Sequence, residues 1–335
     1  MLKTFSTFHL KENIRRIFGP TKRGMQIHHG IPATPVFQRP VITTGTFDGV
    51  HVGHRKILER VRMAAQAMEG ESVVVTFDPH PRLVLFPDDS ALKLLNTLEE
   101  KARLLEVFGI DHLVVIPFTR DFSRTSSLSY IRDILVEKMG LHHLIIGYDH
   151  HFGRNREGSL TELMAYGPTY GFTVEEIPAQ DVDEVRVSST KIRTALDAGD
   201  VAMARSFLTY PYAFDGKVVH GKQVGRTLGF PTANLEPLDP LKLIPGNGVY
   251  AVEAQIQGQR VRGMMNIGFR PTVTSQPNAH PNIEVHLFDW SETIYGETLT
   301  IRLISRIRAE QTFPSLEALK NQLEQDALKA QSLLI

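Results

Sequence analysis

The sequence contains no cysteine. Disulfides, thiolate metal sites, thiol nucleophiles and thiolate-attached haem are therefore excluded, and folding needs no oxidising compartment. Neither sign of charge is in excess, since 37 Lys and Arg balance 37 Asp and Glu. A nucleic-acid binder commonly shows a basic excess and a solvating tail an acidic one; neither marks the chain as a whole. No apolar run reaches the ~18 residues of a membrane span, and no secretory h-region is present. The expected location is the cytoplasm and the expected partners are small molecules, with neither nucleic acid nor membrane; no oligomeric state is implied. Internal repeats and low-complexity tracts are absent too. What remains is a chain of 335 residues, 42% apolar and 22% charged. That is the composition of a packed globular protein, with length for about two domains.

The first long stretch alternates strands and helices. Strands are predicted at Val41 to Thr46, Ser72 to Phe77, Leu113 to Ile116, Leu144 to Ile146 and Phe172 to Val174. The first helix runs from about Gly53 to Glu69, with Ile57, Val61, Ala64 and Met68 recurring every three or four residues. Thr97 and Glu100 form a capping box for the next, which Gly109 stops. Further helices are expected near Leu128 to Met139 and Leu160 to Tyr166. Such alternation implies right-handed crossovers and a parallel sheet. Ligands of these sheets bind beyond the carboxyl ends of the strands, so function is expected just after each strand.

The pattern changes near residue 210. Short β-rich runs follow at Ala213 to Val219, Val249 to Ile256, Val261 to Ile267, Ile283 to Phe288 and Leu299 to Ile307, with no helix expected before Ser315. This suggests an antiparallel barrel or sandwich. The last helix carries Leu316, Leu319, Leu323 and Ala327 on one stripe, expected to pack on the barrel. The domain boundary is expected between Leu196 and Tyr212. Residues 1–24 hold six Lys and Arg against Glu12, a net of +6 − 1 = +5. An Arg-rich, acid-poor start can be a transit peptide; the plainer expectation is a flexible extension, or an early start with Met25 as the true first residue.

After the first predicted strand comes GTFDGVHVGH, residues 45–54. His51 and His54 flank Gly53 at a helix start, where free backbone N–H groups favour an anion. Two imidazoles there can stabilise charge on a phosphoryl group with no protein nucleophile. Asp78-Pro79-His80-Pro81-Arg82 follows the second strand as a Pro-stiffened loop. Gly147 to Arg154 follows the fourth. Metal ligation by Asp149, His150 and His151 is disfavoured because adjacent His side chains diverge; substrate contact by Asp149 or Phe152 is expected instead. His142 and His143, at a strand start, read as structural or solvated. In VSSTKIR, residues 187–193, Ser188 or Ser189 suits a helix N-cap, while three hydroxyls with Lys191 and Arg193 also suit a polyphosphate.

The second half carries GKVVHGKQVGRTLGFPTAN, residues 216–234. Its Gly residues and cations can cradle phosphates through backbone amides, although it lacks the GxxxxGK[ST] of a P-loop. A Gly-rich hairpin with a Pro-stiffened turn is the plainer reading of these residues alone. Thr232 and Asn234 offer hard oxygens suited to Mg²⁺ shared with nucleotide phosphates. In Asn282 to Leu287, alternation puts Ile283, Val285 and Leu287 on one face and Glu284 with His286 on the other. Glu284 can take a proton from a hydroxyl, or lie on a solvated face.

Together these segments resemble the bacterial bifunctional riboflavin kinase/FAD synthetase family. GTFDGVHVGH, TFDPHP, GYDHHFGRNREG and VSSTKIR resemble its adenylyltransferase half. GKVVHGKQVGRTLGFPTAN, GVYAV (248–252), NIGFRPTV (266–273) and IEVHL (283–287) resemble its kinase half, with Tyr295-Gly296 and Arg306 to Arg308 extending the match. The resemblance implies an α/β, Rossmann-like HxGH nucleotidyltransferase domain with a parallel sheet at residues 25–200. It also implies an antiparallel six-stranded β-barrel with a C-terminal helix, the riboflavin kinase, at 208–335. The implied substrates and products are riboflavin, FMN and FAD, with ATP as co-substrate and Mg²⁺ as cofactor. His51 and His54 would bind ATP phosphates and stabilise the transition state; Ser189, Thr190 and Arg193 would grip the polyphosphate. Gly45, Phe47, Asp48, Gly49, Asp78 and Asp149 would line the nucleotide or flavin. Thr232 and Asn234 would hold Mg²⁺ and ATP, with Gly221, Lys222, Gly225 and Arg226 beside them. Glu284 would be the general base, and Asn266 and Arg270 would lie near flavin or nucleotide. His150 and His151 depart from the family, which more often has an aromatic and a basic or polar residue there.

Overall fold

Runs of β-branched and apolar residues set the first sheet, because strands covered on both faces need apolar side chains on both. The computed structural model describes residues 24–87, 92–148, 152–154, 157–178, 187–221, 224–268 and 282–334, without the side chains of Val224 and Arg226. The chain divides into two compact units, one of residues 1–92 and 96–188, the other of 93–95 and 189–335.

In the first unit β1 (Gln26–His29), β2 (Val41–Thr44), β3 (Ser72–Asp78), β4 (His112–Pro117), β5 (His143–Gly147) and β6 (Thr173–Ile177) form one sheet. All its pairings are parallel and its order is β1-β4-β3-β2-β5-β6. The helices are α1 (Val52–Ala67), α2 (Leu98–Val107) and α3 (Leu160–Tyr170). The alternate residues of β3 divide between two cores. Val73 and Val75 join Ile42, Tyr130 and Ile146 on one face, and Val74 joins Leu58, Leu105 and Leu113 on the other. From β2 the chain builds outward through β3 to β4, then returns to β2's other side for β5. The order therefore reverses between β2 and β5, and the crevice beyond their carboxyl ends is where such a sheet receives a ligand.

The structure adds β1, a four-residue edge strand whose side chains are mostly exposed. The predicted helix over 128–139 is an α-turn, Ser127–Ser129, continued as a π-helix over Tyr130–Val136. Pro81–Leu85 forms a short helix in the stiff loop after β3. The Thr97–Glu100 box is present in both directions, at 3.1 and 3.2 Å.

The second unit starts with α4 (Ser189–Asp197) and α5 (Val201–Leu208). Then β7 (Ala213–Val219), β8 (Ala233–Pro237), β9 (Gly248–Ile256), β10 (Gln259–Gly268), β11 (Asn282–Leu287) and β12 (Thr298–Arg308) close a barrel in the order β10-β11-β8-β7-β12-β9. Its pairings are antiparallel. β8 is the strand that sequence alone did not separate from the Gly-rich run, and Val224–Thr227 is a helical turn where none was expected. Helix α6 (Leu316–Leu333) covers the barrel with Leu323, Ala327 and Ala330, next to Val249, Met264 and Phe288. Leu316 is 64% exposed and takes no part; the buried stripe continues instead to Ala330 and Leu334. Asp326, on that helix, accepts three bonds from the Arg308 guanidinium at 2.7–3.0 Å. Three residues remote in sequence, Lys93–Leu95, also belong to this unit. Leu94 exchanges backbone bonds with Leu241 and Leu243, and Arg193 Nε donates to the Lys93 carbonyl. Among the described residues no helix is long and apolar enough to cross a membrane.

Candidate active sites

The loop leaving β2 carries the first site. Gly45 N–H donates to the Val75 carbonyl at 3.0 Å, and Val50 N–H to the Phe47 carbonyl at 3.2 Å. Phe47 and Val50 hold φ of +47° and +37°, a region costly for such side chains. Both are buried in the core shared with Leu58 and Leu105, so packing enforces the turn. Gly49 takes its φ of +85° without a Cβ penalty. The turn delivers His51 as N-cap of α1, with its Nδ1 accepting the His54 backbone N–H at 3.4 Å. That assigns the ring proton to Nε2. The two imidazoles stack at 3.7 Å with planes 16° apart, and Phe47 meets His54 edge-on at 5.1 Å.

Burial holds the His51 pKa down at about 4, against a weaker upward pull from Asp48. Burial, then His51 and Lys101, hold His54 well below its usual value. Both rings are therefore neutral near pH 7. His54 Nδ1 is buried without a hydrogen-bond partner. Asp48, 3% exposed, accepts the Asn96 N–H at 3.2 Å. Asp78 is exposed at the end of β3. Thr44 and the Tyr130 hydroxyl bond at 2.8 Å in the interior, and burial pushes that phenol up to about 12.

Gly45, Phe47, Asp48, Gly49 and His51 thus share one loop at the switch point, with His54 in the first turn of α1. Phe152 is buried in the core, with its ring centroid 6.0 Å from that of Tyr130. His143 bonds Thr173 Oγ1 at 2.6 Å, in keeping with a structural role. Ser189, Thr190 and Arg193 lie at the start of α4 in the second unit. Asp149, Lys222 and Arg270, the Arg226 side chain, His150 and His151 lie outside the described residues. One residue escapes the motifs altogether: Lys101, 7% exposed, whose Nζ donates to Thr76 Oγ1 at 3.2 Å.

The second site is built by strand register. Glu284 on β11 sits opposite Asn234 on β8 and opposite Asn266 on β10, so the three form a row across three strands. Ile283, Val285 and Leu287 are buried while Glu284 and His286 are half-buried, as alternation requires. The carboxylate is fixed at both oxygens, accepting Asn282 Nδ2 at 2.7 Å and Thr232 Oγ1 at 3.4 Å. His286 Nδ1 donates to the Pro231 carbonyl at 2.8 Å and steadies the turn before Thr232. A Cβ on Gly221 would overlap the Asn234 amide, and one on Gly225 would overlap the Phe230 carbonyl and press on Thr232. Glycine is required at both, at Gly221 by the Asn234 side chain and at Gly225 by the Phe230 backbone carbonyl.

The family model described as FAD synthetase matches residues 34–191, and the riboflavin kinase model matches 208–334. A bifunctional riboflavin kinase/FMN adenylyltransferase of Pseudomonas fluorescens is 38% identical, covering 92% of this chain and 98% of its own length. Enzymes of the same description are 40% identical in Escherichia coli strain K12, over 87% and 91%, and 35% identical in Bacillus subtilis, over 87% and 92%. A solved Streptococcus pneumoniae structure described as a macrolide-efflux protein superposes with a TM-score of 0.81 at 30% identity, covering 90% of this chain and 97% of that one. With one domain model matched on each half, and relatives of one description spanning most of its length, the chain belongs to the bifunctional riboflavin kinase/FMN adenylyltransferase family.

Proposed function

We infer that this chain makes FMN from riboflavin and then FAD from FMN, each step consuming ATP at its own site. Kinase chemistry is assigned to residues 208–335 and adenylylation to 25–200, in the cytoplasm. The observation that carries the reading is the Asn234–Glu284–Asn266 row with Thr232 on the same carboxylate, because it brings a base and hard oxygen donors to one place.

In the first step the ribityl 5′-hydroxyl attacks the γ-phosphorus of ATP. The new O–P bond forms as the bond to the β,γ-bridging oxygen breaks, ADP leaves and the hydroxyl proton passes to Glu284. Asn282 and Thr232 keep that carboxylate aimed. The oxygens of Thr232 and Asn234 fit the preference of Mg²⁺ for hard donors. Magnesium there would offset charge on the transferring phosphoryl group. Gly221 and Gly225 allow close backbone approach, with Lys222 and Arg226 as cations and Asn266 and Arg270 toward flavin or nucleotide.

In the second step an FMN phosphate oxygen attacks the α-phosphorus of ATP and pyrophosphate leaves. The nucleophile is already anionic, so the protein positions and stabilises rather than removing a proton. Neutral His51 donates from Nε2, and His54 lies stacked beside it. Gly45, Phe47, Asp48 and Gly49 shape the loop, with Asp78 and Asp149 at strand ends. Ser189, Thr190 and Arg193 are proposed ligands of a nucleotide polyphosphate. The test is a chromatographic time course with riboflavin, Mg²⁺ and ATP. FMN should appear first and FAD second. Absence of FMN overturns the kinase assignment, and FMN without FAD overturns the adenylyltransferase one.

A further inference from the structure

Lys101 lies on α2 and is buried, 7% exposed. Its ammonium donates to Thr76 Oγ1 at 3.2 Å, and Thr76 Oγ1 donates to the Thr46 carbonyl at 3.3 Å. Thr46 stands in the loop that delivers His51 and His54. The same region grips this loop again, where the N–H of Asn96, just before the α2 cap, donates to Asp48 Oδ1 at 3.2 Å. The charged groups facing Lys101 are Asp48 from the loop and Asp78 from the end of β3; its own charge acts on His54 of α1, which also feels His51. Burying an ammonium is costly, and an aliphatic side chain at this helical position would pack without that cost. Its direct bond to a neutral hydroxyl does little to offset burial. Asp48 and Asp78 offset part of that cost, and a site handling phosphates gains from the positive charge as an apolar residue there would not.

We propose that Lys101 is a positioning residue for adenylyl transfer, tethering the His51–His54 loop through Thr76 and keeping a fixed positive charge behind it. The proposal rests on the adenylyl-transfer reading of that loop. The tether sets where the imidazoles stand, and so acts on rate. The charge opposes proton uptake by His54, and so acts on the pH dependence.

The test compares Lys101→Met and Lys101→Arg in the full chain, following FAD formation from supplied FMN and ATP over a pH series, with riboflavin phosphorylation measured in the same preparations. Lys101→Met should lower kcat about tenfold or more with KM for FMN little changed. It should also move the acid limb of the profile to higher pH by about half a unit or more, and Lys101→Arg should restore the limb. An acid limb that stays in place in Lys101→Met overturns the proposal, as does an Arg variant no better than Met. Should Lys101→Met fail to fold, Thr76→Val decides. It cuts the tether and keeps the charge, so the rate should fall with the limb unmoved, and an unchanged rate overturns the proposal. If the unaltered chain makes no FAD from FMN, the functional reading fails first and takes the proposal with it; a loss confined to the variants speaks to Lys101 alone.

Discussion

Replacing Glu284 by Gln separates chemistry from shape at the barrel site. The amide oxygen still accepts from Asn282 Nδ2, which stands 2.7 Å from Oε1. The amide nitrogen takes the place of Oε2, 3.4 Å from Thr232 Oγ1, and that hydroxyl turns from donor to acceptor. The register of β11 with β8 and β10 rests on backbone bonds, and the buried Ile283 and Val285 are untouched. The fold should therefore change in stability by less than about 1 kcal/mol. Catalysis loses its base, an effect on the order of 10²–10⁴ in rate or about 3–5 kcal/mol of barrier. The lost negative charge beside Thr232 and Asn234 should also raise the Mg²⁺ concentration needed for half-maximal rate. The assay pairs FMN formation from riboflavin with FAD formation from supplied FMN in one preparation. The first should collapse and the second stay within about twofold, since the second needs no base from the barrel. Equal loss of both steps in a chain with an unchanged melting curve would refute the reasoning, as would near-normal FMN formation.

His54→Ala should do the reverse, lowering FAD formation from FMN by about 10²-fold or more while riboflavin phosphorylation continues; the same paired assay reads it. Gly221→Ala pushes a methyl into the Asn234 amide. Kinase kcat should fall on the order of 10²-fold for a displacement of about 1 Å, and kinetics indistinguishable from the parent would contradict the close approach. Acid should loosen the first unit. His51, at about 4 in the folded protein against an ordinary 6.5, takes up its proton more readily in the unfolded chain. Stability is therefore full above about pH 7 and declines as pH falls through 6.5 toward 4, by roughly 2 kcal/mol at pH 5 from His51 alone. Amide exchange in β2 reads this directly. The single tryptophan, Trp290, belongs to the barrel unit, so its fluorescence reports the other fold.

The strands around β2 and β3 were legible because they are buried on both faces and rich in Val and Ile. β1 was not, because Gln26–His29 has one aliphatic residue and lies at an edge. β8 was hidden because its strand begins inside a run whose Gly and Pro read as a phosphate loop, with Leu235 its one deeply buried side chain. The histidine pair and the Thr232, Asn234 and Glu284 set stood out through residue type and local context. Their convergence did not, since it depends on the β8-β11-β10 register, which no local pattern states. Lys101 was missed because a helical lysine ordinarily faces water. The available signal was its place three residues after Leu98 and four before Leu105, inside the apolar stripe of α2. Phe152, in a segment expected to face a ligand, packs in the core with Tyr130 and Leu163.

The tripeptide Lys93–Leu95 makes the barrel unit discontinuous along the chain. Its backbone bonds to Leu241 and Leu243, the bond from Arg193 and the one from buried Lys242 Nζ to the Leu95 carbonyl at 2.6 Å are internal to that unit. A fragment beginning at residue 189 leaves all of them behind, and Lys242 Nζ loses the Leu95 carbonyl. No single scission therefore yields both halves intact. A transplant of the kinase half into another chain has to carry this distant staple along, or replace it.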